Sequence, residues 1–396
     1  MNAKDFPPAG GTRPRVLLLR SFCRPTFCAT LARALRRHSG IEFAQYPRFP
    51  SDQNWRLKKL YRADEAWDDL HVNVIESAAE FRRKLFGRAF DLILLADDEA
   101  HLFRLHGQPF AGLRSAADAW SRAVHLSPRM AREYYRYEHA MPVSLAELRR
   151  YAPVAAIENR DAACLSPRNR MIFEESTVFF KRELPYDRFF MYYPDRPAPW
   201  AEWRKKLLPQ FNKVHGIPLG IEDDKYADLK ARRRTKQDID VFLSGVVTNT
   251  QRKTAETLLK AWDGKKRWNL VIGDSWPFEE YCDLVSRSKI TISIAGSRWE
   301  CFRHYEAVAL GSVPLMNRPT VDAVWWHGLP DALFFENSFE NYEQRIENLL
   351  KDDELRRIAL ARVEERIEAH MLHSRMIDYI VRTALEAPWP EGGESL

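Results

Sequence analysis

The sequence predicts an α/β protein of two Rossmann-like, doubly wound domains facing across a cleft. Three observations carry this expectation. Short, almost wholly apolar runs such as RVLLL at 15–19, FDLILLA at 90–96 and ITISIA at 290–295 read as strands buried on both faces. Segments with apolar residues at helical spacing follow them, the alternation that a parallel sheet covered by helices requires. Midway, a stretch containing Pro194, Pro197, Pro199, Pro209 and Pro218 breaks the rhythm, and a chain of 396 residues favours two domains over a single core. We therefore place an N-terminal domain at 14–195, a connection at 196–236, a C-terminal domain at 237–370 and a last helix at 371–390 that returns to the first domain.

In the first domain a strand at 15–19 leads to a helix around 29–37 and a strand at 43–46. A polar, aromatic helix over 52–67 precedes a helix over 73–86 and the strand at 90–96, which ends on Asp97 and Asp98. Helix, strand and helix continue through 120–124 and 129–137, and 153–158 and 177–180 are short apolar strands. In the second domain strands at 240–244, 268–272, 290–295 and 313–316 alternate with helices at 250–262, 278–286 and 302–310. An edge strand at 332–335 precedes helices at 341–350, 353–370 and 374–385, whose apolar spacing of i, i+3 and i+4 is amphipathic.

Hydrophobic content of 45% and charge of 29% are those of a soluble globular protein. No apolar run approaches the roughly 18 residues of a membrane-spanning helix, and the start MNAKDFPPAGGTRPR has no apolar signal-peptide segment. Five cysteines without a C-x-x-C pair point to a reduced, cytoplasmic protein without structural zinc. The histidines are scattered; His370 and His373 stand three apart without a third ligand nearby, so no metal is expected. A net charge of +6 suits an anionic ligand, peripheral contact with the inner face of a membrane, or nucleic acid. The run KARRRTK at 230–236 reads as a loop rather than a nucleic-acid patch. Neither G-x-G-x-x-G nor a P-loop occurs, which argues against a standard NAD site or ATPase.

The richest stretch is ITISIAGSRWECFRHYEAVALGSVPL at 290–315. A buried strand, a basic loop and a helix start can bind a diphosphate through backbone N–H groups and through Arg298 and Arg303. Glu306, one turn into the helix, can accept hydrogen bonds from two sugar hydroxyls. Gly296, Ser297 and Glu300 complete the loop, and Gly311 closes the helix. At 242–253, FLSGVVTNTQRK repeats the arrangement: Gly245 lets a ligand approach the backbone, and Arg252 and Lys253 open a helix. Gly273 and Asp274 end a strand in the same topological position. In the first domain Asp97, Asp98 and His101 follow a buried strand and are the candidates for a general base, with a helix cap as their structural alternative. Lys181 and Arg182 could meet a diphosphate or an acceptor across the cleft.

The block GSRWECFRHYEAVALGSVPLM resembles the nucleotide-sugar segment of GT-B glycosyltransferases, above all exostosin-type and related bacterial enzymes. Their R-x-x-E-A and G-x-[VI]-P pattern is matched by Arg303, Glu306, Ala307, Gly311, Val313 and Pro314. The resemblance covers roughly 150–320 and implies a metal-independent glycosyltransferase using a UDP- or GDP-type sugar donor, with no further cofactor and a glycan, glycolipid or protein acceptor. It implies that Glu306 binds the donor ribose, that Arg303 and the loop 296–298 face the diphosphate, and that Arg252 supports it. The two-glutamate spacing of retaining relatives is absent, since Glu300 lies only six positions before Glu306, and the stereochemistry stays open. No first-half motif carries over, so the base stays open too. Surface polysaccharide or glycoconjugate assembly is the role the resemblance suggests. A nucleotide- or nucleic-acid-binding protein without transfer activity is the alternative reading.

Overall fold

The computed structural model describes residues 12–20, 25–47, 71–96, 141–159, 164–165, 170–192, 208–245, 249–263, 265, 268–296 and 298–388. The helices expected at 52–67 and 129–137, the segment 120–124 and the candidates Asp97, Asp98, His101 and Ser297 lie outside these residues.

Two parallel sheets form the scaffold. The first contains β1 (Arg15–Arg20), β2 (Glu42–Tyr46), β3 (Leu92–Ala96), β4 (Val154–Glu158), β5 (Val178–Lys181) and β6 (Val214–Gly216), in the order β2-β1-β3-β4-β5-β6. Every residue of β3, LILLA, is buried, because both faces of the sheet are covered. In register, Leu17 stands beside Ala44 on one side and Ile93 on the other. The described α-helices of this half are α1 (Pro25–Arg37), α2 (Ala78–Phe86), α3 (Leu145–Leu148) and α4 (Arg170–Glu175). Helix α2 starts at Ala78 rather than near 73. Ser77 Oγ accepts the Glu80 N–H as an N-cap, while Asn73 holds φ 54, outside the helical range. The three-residue β6 pairs with β5 and so joins the first sheet, although the sequence predicts a connection there.

The second half runs α5 (Asp223–Ala231), β7 (Ile239–Ser244), α6 (Thr250–Trp262), β8 (Leu270–Gly273), α7 (Phe278–Ser286), β9 (Ser288–Ser293), α8 (Phe302–Ala309), β10 (Val313–Asn317), β11 (Phe334–Phe335), α9 (Tyr342–Lys351) and α10 (Asp353–Arg366). Its sheet order is β11-β10-β9-β7-β8. Strand addition reverses at β7, because β8 lies on one side and β9 on the other. That reversal opens a crevice beyond the carboxyl ends of β7 and β9, where ligands collect in open α/β sheets.

A π turn at Ile367–Met371 ends the helix that the sequence predicts up to 370, and α11 (His373–Glu386) follows. Met376, Ile377, Ile380, Val381 and Ala384 of α11 pack into the first core with Leu94, Phe179 and Phe180. Residues 217–221 lead out of the first sheet and 371–373 lead back. The two crossings lie side by side: Ile221 N–H donates to Met371 O at 3.1 Å, and His373 N–H donates to Ile221 O at 3.0 Å. The basic run at 230–236 is tied to the second half, with Arg232 on Glu279, Arg234 on Asp283 at 2.9 Å, and Arg233 on the carbonyls of Ala309 and Val308 at 2.8 and 2.9 Å.

Candidate anion-binding site

Asn249 organises the crevice. As the N-cap of α6, its Oδ1 accepts the Arg252 N–H at 2.9 Å, and its Nδ2 donates to the carbonyls of Ala295 and Gly296 at 2.9 and 2.6 Å. One side chain thus fastens the start of α6 to the loop that follows β9. Arg252 lies along that loop, with Nε donating to Ala295 O at 3.1 Å and Nη2 to Ile294 O at 3.3 Å. A Cβ added to Gly296 would stand 2.9 Å from Arg252 Nη2.

Arg303, in the first turn of α8, reaches back to the end of β7. Its Nη2 occupies the space that a Cβ on Gly245 would need. Gly245 holds φ +124, which L side chains rarely adopt, so glycine serves both the turn and the close approach. Arg303 Nε and Nη1 are buried and have no hydrogen-bond partner among the described residues. Burial, then the charge of Arg303, lower the proton affinity of Arg252. Guanidinium groups remain charged regardless. Two partly desolvated cations, of which Arg303 has unused donors, therefore face each other at the reversal point, an arrangement that an anion relieves. The α8 N-terminus, whose Cys301 N-cap makes no side-chain cap bond, adds its own partial positive charge.

Gly273 ends β8 beside this group; its carbonyl accepts the Gly245 N–H at 3.3 Å, and the Trp276 indole packs against it. Glu306 lies one turn beyond Arg303 with both oxygens engaged, Oε1 by Lys225 Nζ at 2.7 Å and Oε2 by Tyr281 OH at 3.1 Å. Burial, then Glu306, push the Tyr281 hydroxyl well above its ordinary range, so it stays a donor. A ribose at Glu306 would share the carboxylate with these partners. Lys225 also lies over the rings of Phe302 and Phe278, at 5.4 and 5.9 Å from their centroids.

Other candidates lie elsewhere. Glu300 accepts from Leu219 N–H at 2.6 Å, from Trp326 Nε1 at 3.0 Å and from Tyr305 OH, which fixes it to the inter-domain connection. Arg298 closes a turn through its carbonyl to Gly296 N–H at 2.8 Å, and its charge acts on Glu183, just after β5. Lys253 is solvent-facing and pairs with Glu256 at 3.1 Å. Lys181 is buried against Glu158 at 2.7 Å. Among the described residues no three His, Cys, Asp or Glu side chains are placed to hold a metal ion. None of the described helices is long and apolar enough to cross a membrane. Sequence reasoning missed Asn249, Lys225 and Tyr281. Only Asn249 left a trace, an N-cap residue between a strand and a helix.

Residues 225–324 match the family model of the RXYLT1 C-terminal domain, a stretch that includes both arginines. A comparison with curated proteins gives no match. Among solved structures, a glycosyltransferase from Rickettsia africae superposes with a TM-score of 0.50 at 9% identity, over 95% of this chain and 99% of that one. A sucrose-phosphate synthase from Thermosynechococcus elongatus gives 0.43 at 11% identity, over 95% and 100%. The catalytic domain of starch synthase IV from Arabidopsis thaliana, bound to ADP and acarbose, gives 0.43 at 11% identity, over 94% and 100%. At 9% identity the likeness to the Rickettsia africae protein is one of fold alone.

Proposed function

We propose that this chain, which has the GT-B glycosyltransferase fold, moves a sugar from a nucleoside-diphosphate sugar to a hydroxyl acceptor. The observation that carries the reading is the Arg252–Arg303 pair at the reversal point of the second sheet, with Arg303 donors buried and unused. A diphosphate supplies the missing acceptors, and its negative charge grows as the sugar bond breaks. Preorganised guanidinium groups and a helix N-terminus therefore stabilise the transition state more than the ground state, and this mechanism requires no metal. In this reading Glu306 takes the ribose hydroxyls, and the donor is of UDP or GDP type. An acceptor hydroxyl on a glycan, glycolipid or protein enters from the first domain, where Asp97, Asp98 or His101 takes its proton. The basic run at 230–236 is engaged by acidic and carbonyl partners of its own domain, which favours the transferase reading over the nucleic-acid alternative.

The test is a thermal-shift panel of UDP, GDP, CDP and ADP and their common sugars, with and without Mg²⁺, on wild type and Arg303→Ala. A ligand at one hundred times its Kd stabilises the native state by about 2.7 kcal/mol. One nucleotide family is expected to raise the midpoint in wild type and lose most of that effect in the variant. No shift with any nucleotide would reject the donor-site reading.

A further inference from the structure

Cys301 occupies the N-cap of α8, two residues before Arg303. Its sulfur lies 3.6 Å from His304 Nδ1, 3.8 Å from Ser293 Oγ and 3.9 Å from the Ile294 carbonyl. His304 is fully buried, and its Nε2 stands 3.0 Å from the Trp299 carbonyl. A carbonyl oxygen only accepts, so Nε2 carries a hydrogen, and Nδ1 is left to face Cys301 and Ser293, the latter at 2.6 Å. Carbonyl, imidazole and sulfur thus form a row in which an oriented base faces a nucleophile.

The charged and titratable groups around this sulfur come from three helices: His304 and Arg303 on α8, Arg252 on α6 and Tyr281 on α7. Burial alone would push the thiol up, but His304, Arg303 and Ser293 bring it down to about 6. Cys282 is the internal contrast: burial, with Glu306 and Glu279 nearby, pushes its thiol up to about 11. Cys28 and Cys282 are buried, whereas Cys301 and Cys164 keep partial exposure.

We propose that Cys301 is a modification site for small hydroperoxides at the rim of the anion site, with His304 as its base. The thiolate sulfur attacks one peroxide oxygen, so an S–O bond forms and the O–O bond breaks. The sulfur is oxidised by two electrons to a sulfenic acid. The peroxide is reduced to water or an alcohol, which takes the proton that His304 had drawn from the thiol. The added oxygen stands next to Arg303 and obstructs an anion there. That last consequence rests on the donor-site reading; the sulfur chemistry does not.

The full chain is treated with hydrogen peroxide in the presence of dimedone, and labelled cysteines are read by peptide mass spectrometry. Label at Cys301 is expected to form about tenfold faster than at the comparably exposed Cys164; an equal or slower rate overturns the proposal. A measurement on wild type guards against variants that fail to fold. The rate of Cys301 alkylation by iodoacetamide, followed against pH, is expected to reach half its maximum near 6, and a half-maximum near the ordinary 9.0 overturns the His304 pairing. His304→Gln should slow the labelling, and Cys301→Ser should abolish it at that peptide. Peroxide treatment is expected to reduce the nucleoside-diphosphate thermal shift of wild type and leave that of Cys301→Ser unchanged. Labelling with an undiminished shift overturns the coupling to the anion site, and no shift before treatment rejects the donor-site reading alone.

Discussion

Replacing Gly245 by alanine tests the anion site through two separable effects. The residue holds φ +124, and keeping an alanine there costs about 1–3 kcal/mol. In a folding unit of about 150–250 residues each kcal/mol moves Tm by about 2–4 °C, which gives a fall of roughly 2–12 °C. Independently, the new methyl group takes the space of Arg303 Nη2, so the guanidinium must swing away from β7. A charge-assisted hydrogen bond to the bound anion is worth about 1.5–3 kcal/mol. At about 1.4 kcal/mol per decade, its loss weakens nucleoside-diphosphate binding by roughly 10- to 100-fold. Calorimetric scanning reads the first effect and isothermal titration with UDP or GDP the second. Gly296→Ala serves as the companion: its Cβ would stand 2.9 Å from Arg252 Nη2, and no left-handed φ is involved, so binding should fall while Tm moves little. If Gly245→Ala loses Tm but binds nucleotide as wild type does, Arg303 does not touch the phosphates and the reasoning fails.

Glu306→Ala should lower nucleotide affinity by about 3- to 30-fold, the value of one or two hydrogen bonds to sugar hydroxyls, with the circular dichroism unchanged; unaltered affinity removes the ribose role. Lys181→Met takes the ammonium from the buried Glu158 carboxylate and should cost about 3–5 kcal/mol in urea unfolding, and adding Glu158→Leu should restore most of it. No restoration would show that the lost stability came from packing. Burial holds His373 below its ordinary range, with Glu222 and Asp223 opposing, so the folded chain favours the neutral ring. Its contribution is therefore complete above the unfolded value of about 6.5 and is lost as pH falls below that value. Urea midpoints measured from about pH 8 down to about 5 should decline in wild type and flatten in His373→Gln; equal slopes would clear His373 of the effect.

The strands of the second domain are legible because VFLS and ITIS, with their small polar residues buried beside the apolar ones, lack the charged side chains of a solvated face. The start of β9 is harder to see: Ser288 is fully buried, but its hydroxyl donates to the Leu284 carbonyl at 2.6 Å, so a polar residue sits inside without cost to the pattern. β6, VHG, is too short to show any period and exists only by pairing with β5. Arg252, Arg303, Gly245 and Gly296 are visible in sequence from their places at strand ends and helix starts. Their pairing is not, because it depends on the order in which strands enter the sheet. Glu306 reads as an open carboxylate until Lys225, 81 residues away, and Tyr281 arrive from other helices. The loop before α8 divides around Trp299, which is buried with its indole N–H on Asn317 O at 2.7 Å. That anchor turns Arg298 and Glu300 toward the first domain and the connection. Lys253 follows Arg252 on one helix, and the step of about 100° per residue carries it to the solvent side, beside Glu256.

The paired crossings at 217–221 and 371–373 limit how the two sheets can move. A single tether would leave the second sheet free to swing, twist and slide. Two strands of chain bonded side by side, with Ile221 N–H on Met371 O and His373 N–H on Ile221 O, act as a pin. Sliding one domain past the other would break both hydrogen bonds, whereas rotation about their common line keeps them. Because α11 is packed into the first core, the return strand is anchored at both ends. Arg188 on Asp322 at 2.9 Å and the Asp322 N–H on Leu184 O at 2.7 Å also join the two halves, so turning one sheet against the other has to break these bonds as well.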